Sequence, residues 1–311
     1  MQGLVIKNTG SHYTVRTDDG QVREAKARGR LRLRGLRSTN PIAIGDRVEL
    51  AAGEDTDLIT AVHDRKNYVI RRATNLSKQC HILAANVDQC LLIATLTLPE
   101  TTTTFIDRFL ASAEAYRIPV VIVFNKTDLL NSHELRTQLH DLTHLYTAIG
   151  YSVLHTSAHT GEGLAQVGEA LKGKVTLLSG HSGVGKSTLI NCLFPTLHLR
   201  TAEVSDAFHT GKHTTTFSQM YPLEGDNGYI IDTPGIKGFG TFDMETAEVS
   251  HYFREFFRKA PQCRFRGCTH THEPGCAVRE AIARGDIAES RYRSYLSMLE
   301  DKDEDRYRSC R

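Results

Sequence analysis

The sequence predicts a multidomain chain: a small N-terminal β-barrel, a central α/β domain built on a largely parallel sheet, and a C-terminal helical module. Three patterns carry that expectation. Short β-like segments recur at close spacing over roughly the first 70 residues, and apolar strand-like runs then alternate with helix-compatible segments. After about residue 241 the alternation gives way to a Cys/His cluster between two helix-like stretches. The 311 residues suffice for two or three domains, and the composition, 40% apolar and 24% charged, is that of a globular chain. Boundaries are expected near 1–72, 73–240 and 241–311.

The barrel is read from Leu4–Ile6, Tyr13–Val15, Leu31–Leu33, Val48–Leu50 and Leu58–Val62, separated by turn signals such as Asp18-Asp19-Gly20 and Gly45-Asp46. About five short strands in ~70 residues suit an OB-fold, although periodicity alone does not separate it from an SH3-like barrel. Residues 1–72 hold 14 Lys/Arg against 9 Asp/Glu, concentrated in Arg23, Lys26, Arg28, Arg30, Arg32, Arg34 and Arg37. Such a run is either a solvated face or the footprint of a phosphate-backbone binder.

In the central domain the strand-like runs are Gln89–Thr95, Val120–Phe124, Val153–Thr156, Val175–Ser179 and Tyr229–Ile231. The first helix candidate places Ile106, Phe109, Leu110 and Ala113 on one face. Ligands of such sheets gather beyond the carboxyl ends of the strands. The C-terminal module is expected to hold helices over Ala247–Lys259 and Ile287–Arg306, the second burying Tyr292, Tyr295, Leu296 and Leu299. No run approaches the ~18 apolar residues needed to span a bilayer, and no signal peptide is visible at the N-terminus.

The motifs fall where the strands end. Gly180-His181-Ser182-Gly183-Val184-Gly185-Lys186-Ser187 fits G-x-x-x-x-G-K-[ST] between a strand and a helix-like run that continues through Thr188. Glycines there let backbone N–H groups curl around phosphate oxygens, Lys186 reaches the β- and γ-phosphates, and the Ser187 hydroxyl suits Mg²⁺. Asn125-Lys126-Thr127-Asp128 selects guanine: a carboxylate at Asp128 accepts its N1–H and N2–H₂ donors, which adenine lacks. Asn125 can tie that loop to the phosphate loop, the Lys126 stem can cover the base, and the backbone of Ser157-Ala158 can meet O6. Asp232-Thr233-Pro234-Gly235 fits D-x-x-G, with Asp232 holding Mg²⁺ through water and the Gly235 N–H near the γ-phosphate. In Gly211–Thr216, Thr215, or else Thr214, can complete the Mg²⁺ shell.

Seven cysteines, an odd number in a long chain, argue against a disulfide framework and for a reducing cytoplasm. Cys263, Cys268 and Cys276 are clustered with His270 and His272, which suggests a closed Cys₃His structural zinc site. His270 is the favoured fourth ligand and His272 the rival. Arg258, Lys259, Arg264 and Arg266 give this module a basic rim suited to RNA phosphates.

The usual GTPase order is phosphate loop, switch threonine, D-x-x-G, N-K-x-D and then S-A; here the last two come first. That order resembles the circularly permuted GTPases. Together with the barrel and the Cys/His pattern, it resembles the RsgA (YjeQ-like) small-ribosomal-subunit biogenesis GTPases over the whole chain. The resemblance implies GTP hydrolysis stimulated by the small ribosomal subunit late in its maturation, a cytoplasmic location, and zinc on Cys263, Cys268, His270 and Cys276. A monomer with no membrane association is expected, with GTP/GDP and rRNA of the small subunit as partners. Lys186, Ser187, Thr215 and Mg²⁺ would carry catalysis by positioning and charge neutralisation. Ile236 stands where many GTPases place a water-orienting glutamine, so His213 is the candidate for that role. Gly183 stands where potassium-dependent GTPases carry asparagine, so no potassium requirement is expected from that source. Because Asp232–Gly235 directly precedes the C-terminal module, a shift at the γ-phosphate could pull on it. The rivals are a nucleotide-gated RNA-binding module with incidental hydrolysis, and a permuted GTPase with a non-ribosomal partner.

Overall fold

The computed structural model describes residues 1–27, 41–72, 80–199, 219–226, 228–232, 244–245 and 247–308. The first unit is a barrel of β1 (Gln2–Asn8), β2 (Tyr13–Thr17), β3 (Val22–Ala27), β4 (Arg47–Ala51) and β5 (Asp57–Val62). The strands pair in the order β1-β2-β3-β5-β4, and β4 returns to pair with β1, so the sheet closes. The β3–β5 pair is parallel and the others antiparallel, which is the OB arrangement rather than the SH3-like one. Inward positions on alternating strands, Val5, Val15, Val48, Leu50 and Ile59, fill its core.

One strand departs from the sequence reading. β3 lies at Val22–Ala27, where the sequence shows the start of the basic run, while the expected strand Leu31–Leu33 and the cations Arg28 to Arg37 fall outside the described residues. Only Ala25 of β3 points fully inward, so its apolar signal is faint. Arg23 is engaged within the barrel, at 3.3 Å from Asp57 and 2.9 Å from Gln21.

Hairpin β6 (Tyr68–Arg72) and β7 (Cys80–Ala85) follows the barrel. Barrel and hairpin touch at Gly45, whose φ is +86° and where a Cβ would lie 2.1 Å from the Ala85 carbonyl oxygen, so only glycine fits.

The central sheet runs in the order β10-β9-β8-β11-β13-β12, made of β8 (Gln89–Ala94), β9 (Val120–Phe124), β10 (Ser152–His155), β11 (Lys174–Ser179), β12 (Gln219–Pro222) and β13 (Gly228–Asp232). All neighbours are parallel except β12, which runs antiparallel to β13 and on its other side meets β1 of the barrel, Gln219 opposite Lys7. From β8 the chain builds outward to β10, then returns to the centre at β11 and builds the other way. The switch point of the sheet therefore lies between β8 and β11, where an α/β sheet opens its ligand crevice. All six β8 residues are buried. Cys90, Leu92 and Ala94 face α1 (Thr103–Ala115) and α2 (His133–Ile149), whereas Leu91 and Ile93 face α3 (Leu164–Leu171) and α4 (Lys186–Leu193). The face expected of α1, Ile106, Phe109, Leu110 and Ala113, is buried in that first layer.

The expected helix Ala247–Lys259 divides into a 3-10 turn (Val249–Tyr252) and α5 (Arg254–Lys259), because Phe253 between them is extended (φ −98°, ψ 102°). α6 (Ala277–Ala283) and α7 (Glu289–Arg308) complete the module. Tyr295 and Leu299 of α7 are buried, and Tyr292 and Leu296 pack beside them against Phe253 and Phe256. Ala111 of α1 belongs to the same cluster, so α1 is shared between the central domain and the module.

Candidate functional site

The phosphate loop leaves β11 and enters α4 through three glycines of positive φ, Gly180 (+136°), Gly183 (+84°) and Gly185 (+92°). A Cβ on Gly180 would lie 2.2 Å from the Ile93 carbonyl, and one on Gly185 would lie 2.5 Å from Asn125 Nδ2. The loop is thus wedged against β8 and the N-K-x-D segment. Val184 is buried in the core and anchors it, while Ser182, Gly183 and Thr188 are exposed and Ser187 is half-buried in the first turn of α4. Lys186 Nζ donates to the carbonyls of Gly180 (2.8 Å) and His181 (2.7 Å). Burial lowers the Lys186 pKa, with Asp232 opposing; burial raises the Asp232 carboxyl, with Lys186 opposing. A cation at the start of α4 and a carboxylate at the end of β13 thus lie within each other's field, suited to phosphate and to a metal respectively.

The N-K-x-D segment is built around Asn125, which is 4% exposed. Its Nδ2 donates to the Val184 carbonyl (2.9 Å), its Oδ1 accepts from Thr156 Oγ1 (3.0 Å), and its backbone N–H reaches the Ala94 carbonyl (2.8 Å). One residue therefore ties the end of β9 to the ends of β8 and β10 and to the phosphate loop. Lys126, in the left-handed region at φ +64°, donates to the carbonyls of Gly183 (2.8 Å) and Leu98, so its stem bridges the phosphate loop and the loop after β8. Asp128 Oδ1 accepts from Ser157 Oγ at 2.5 Å. Sequence reasoning gave Ser157 and Ala158 a backbone role and missed this hydroxyl, which fixes the direction of the Asp128 carboxylate. It also missed Thr156 and the residues 95–105 that wall the phosphate loop. Thr215, His213, Thr214, Ile236 and Gly235 lie outside the described residues.

Cys263, Cys268, His270 and Cys276 offer ligand atoms that all lie within 4.8 Å of one another. His270 Nδ1 is 3.7 Å from Cys263 Sγ and 3.3 Å from Cys276 Sγ. His270 is buried, whereas His272 is exposed and bonded to the Thr271 hydroxyl at 2.9 Å, so His270 is the residue turned inward. Burial and the neighbouring Cys276 and Cys263 sulfurs push the Cys268 thiol up to about 12, and burial raises Cys276 as well. Three crowded thiols resist charging together unless a cation compensates, and a Cys₃His donor set fits zinc. The surrounding shell is ordered. Tyr292 OH donates to the His270 carbonyl (2.8 Å) and Tyr295 OH to the Thr269 carbonyl (2.6 Å). Burial would raise the Glu273 carboxyl, but hydrogen bonds from the Thr269 hydroxyl and the Thr269 and His272 backbone N–H groups hold it well below the usual range. Of the expected basic rim, Arg264 and Arg266 are exposed, while Arg258 Nη2 donates to the Ile149 carbonyl (2.9 Å) and so joins the module to α2.

Fold and site together define a circularly permuted P-loop GTPase. The RsgA GTPase family model matches residues 62–242, and the RsgA N-terminal domain model matches residues 2–58. The chain is 62% identical, over 100% of both chains, to the small ribosomal subunit biogenesis GTPase RsgA of Bacteroides fragilis. It is 59% identical to that of Porphyromonas gingivalis over 99% of each. Among solved structures it resembles YjeQ from Thermotoga maritima, with TM-score 0.79 and 38% identity over 96% of this chain and 97% of that one. It also resembles YloQ, a circularly permuted GTPase, with TM-score 0.75 and 29% identity over 97% and 95%. The chain belongs to the RsgA GTPase family and is a GTP hydrolase. Among the described residues no helix is long and apolar enough to cross a membrane.

Proposed function

We propose that this chain acts on the small ribosomal subunit late in its maturation, in the cytoplasm and as a monomer, hydrolysing GTP at a rate that the subunit stimulates. The observation that carries this reading is the 62% identity, end to end, with a protein named for small-subunit biogenesis. The OB barrel and the Cys₃His module on either side of the GTPase domain support it, since hydrolysis of a free nucleotide requires neither. Asp128 and Asn125 read guanine, the Ser157-Ala158 backbone meets its O6, and the loop from Gly180 to Ser187, continued by Thr188, cradles the phosphates. Lys186 neutralises charge as the γ-phosphate is transferred to water. Mg²⁺, when bound with GTP, supplies further charge neutralisation, and Ser187, Thr215 and Asp232 are the groups to hold it. Gly235 contacts the γ-phosphate and His213 orients the attacking water. Zinc on Cys263, Cys268, His270 and Cys276 is structural, because all four donors come from the protein and no open position is implied. Domain limits of 1–72, 73–240 and 241–311 fit this division of labour.

The test is co-sedimentation with purified small subunits in the presence of GDP or a non-hydrolysable GTP analogue, across a salt series. Binding favoured by the analogue and weakened by salt supports the reading. Equal binding to large subunits, or none to either, would overturn it in favour of a non-ribosomal partner.

A further inference from the structure

The loop between β8 and α1 carries no nucleotide motif, yet it braces the phosphate loop. Its own form is fixed by Thr95 and Thr101. Thr95 Oγ1 donates to the Pro99 carbonyl at 2.5 Å, the Thr95 N–H reaches Thr101 Oγ1 at 3.1 Å, and the Thr101 N–H returns to the Thr95 carbonyl at 2.8 Å. Three contacts press it onto the phosphate loop. Lys126 Nζ bridges the Leu98 and Gly183 carbonyls, and the Pro99 ring lies 3.4 Å from where a Gly183 side chain would begin. The Phe105 ring, in the first turn of α1, lies with its centroid 3.8 Å from that of His181.

Two residues beyond Phe105, the same helix is gripped from the C-terminal module. Asp107 is fully buried and accepts from Arg291 Nη1 (2.9 Å) and Ser294 Oγ (2.7 Å) of α7 and from Tyr146 OH (3.0 Å) of α2. Arg291 also bonds Glu255 of α5 at 2.6 Å. At the far end of α1, Glu114 pairs with Arg254 at 2.7 Å, and Arg254 also donates to the Gly150 carbonyl at 2.6 Å. A short, close-packed helix held at both ends by charged hydrogen bonds moves as a unit, because packed interiors transmit displacement.

We infer that Phe105 is a positioning residue for the phosphate loop, and that the C-terminal module sets its position through the Asp107–Arg291 ion pair. What happens to the module is thereby felt at the nucleotide through α1, by a route separate from the chain that joins Asp232 to the module. The inference rests on the nucleotide site proposed above; GTP and GDP binding there is the readout, and no ribosomal partner is required.

The test uses the full chain and the variants Phe105→Ala, Arg291→Lys and the double variant, with fluorescent GDP titration, intrinsic turnover and thermal melting measured on each. Arg291→Lys keeps the buried charge and removes the fork that spans Asp107 and Glu255. Each single variant is expected to weaken GDP binding about five-fold, within the reach of coupling mutations. The double variant is expected to match the singles rather than multiply them. Phe105→Tyr should behave as the wild type. Unchanged GDP affinity in a normally melting Arg291→Lys protein would overturn the inference, and so would a strictly multiplicative double variant. If Arg291→Lys does not fold, Ser294→Ala, which removes one bond to Asp107, is scored by the same criteria.

Discussion

Asp107 and Arg291 are separated by 184 residues in the chain and by 2.9 Å in the fold, and the side chains of both are wholly shielded from solvent. Burial raises the Asp107 carboxyl while Arg291 opposes that rise, so the pair holds its charge only because each partner compensates the other. Arg291→Ala should therefore destabilise the protein by about 3–5 kcal/mol, since it leaves a buried carboxylate unpaired. Asp107→Leu combined with Arg291→Met should recover only part of that loss, because Glu255 is left without its partner. Urea denaturation of the three variants checks both statements.

The carboxylate of Asp128, aimed by the Ser157 hydroxyl, predicts the nucleotide preference. Asp128→Asn should lower GTP affinity about 10²-fold or more, the cost of losing one partner of a charged hydrogen-bonded pair. Xanthosine triphosphate should gain, because its C2 carbonyl accepts where guanine donates. Ser157→Ala should lower GTP affinity by a smaller factor and leave the base preference intact. Competition titrations with the two nucleotides separate these outcomes.

Gly185→Ala tests the tie between the phosphate loop and Asn125. The new methyl would stand 2.5 Å from Asn125 Nδ2 at a φ of +92°. The left-handed backbone alone costs about 1–2 kcal/mol for a side-chain-bearing residue. Nucleotide binding should fall further than stability does, which calorimetric titration alongside a melting curve would reveal.

Removal of the metal should be visible in thiol chemistry. With zinc bound, Cys263, Cys268 and Cys276 should resist a thiol reagent, and a chelator should release three further reactive thiols per chain. His270→Ala should lower zinc content and melting temperature, whereas His272→Ala should change neither. Metal analysis of the purified variants decides this.

Much of the central domain was legible because its strands are buried runs and its motifs depend on local spacing. Val120–Phe124 is the strand that the sequence predicts, and the loop from Gly180 to Ser187 lies between strand and helix as expected. Less was legible where a residue's meaning depends on a distant partner. No local pattern marks Asp107 or Arg291, whose pairing exists only once α1 and α7 meet. Ser157 looked like a backbone donor because no local rule shows where its hydroxyl points. Strand β3 was hidden since Ala25 is its one fully buried residue and its neighbours are charged. The helix expected over Ala247–Lys259 broke at Phe253, whose ring is drawn into the module core against Phe256 and Tyr295.

GTP turnover with and without purified small ribosomal subunits, with ATP and large subunits as controls, tests the central claim most directly. The account predicts slow turnover of GTP alone, strong stimulation by small subunits, none by large subunits, and no turnover of ATP. Tight GTP binding with no stimulation by small subunits would contradict it, leaving a permuted GTPase whose partner lies elsewhere.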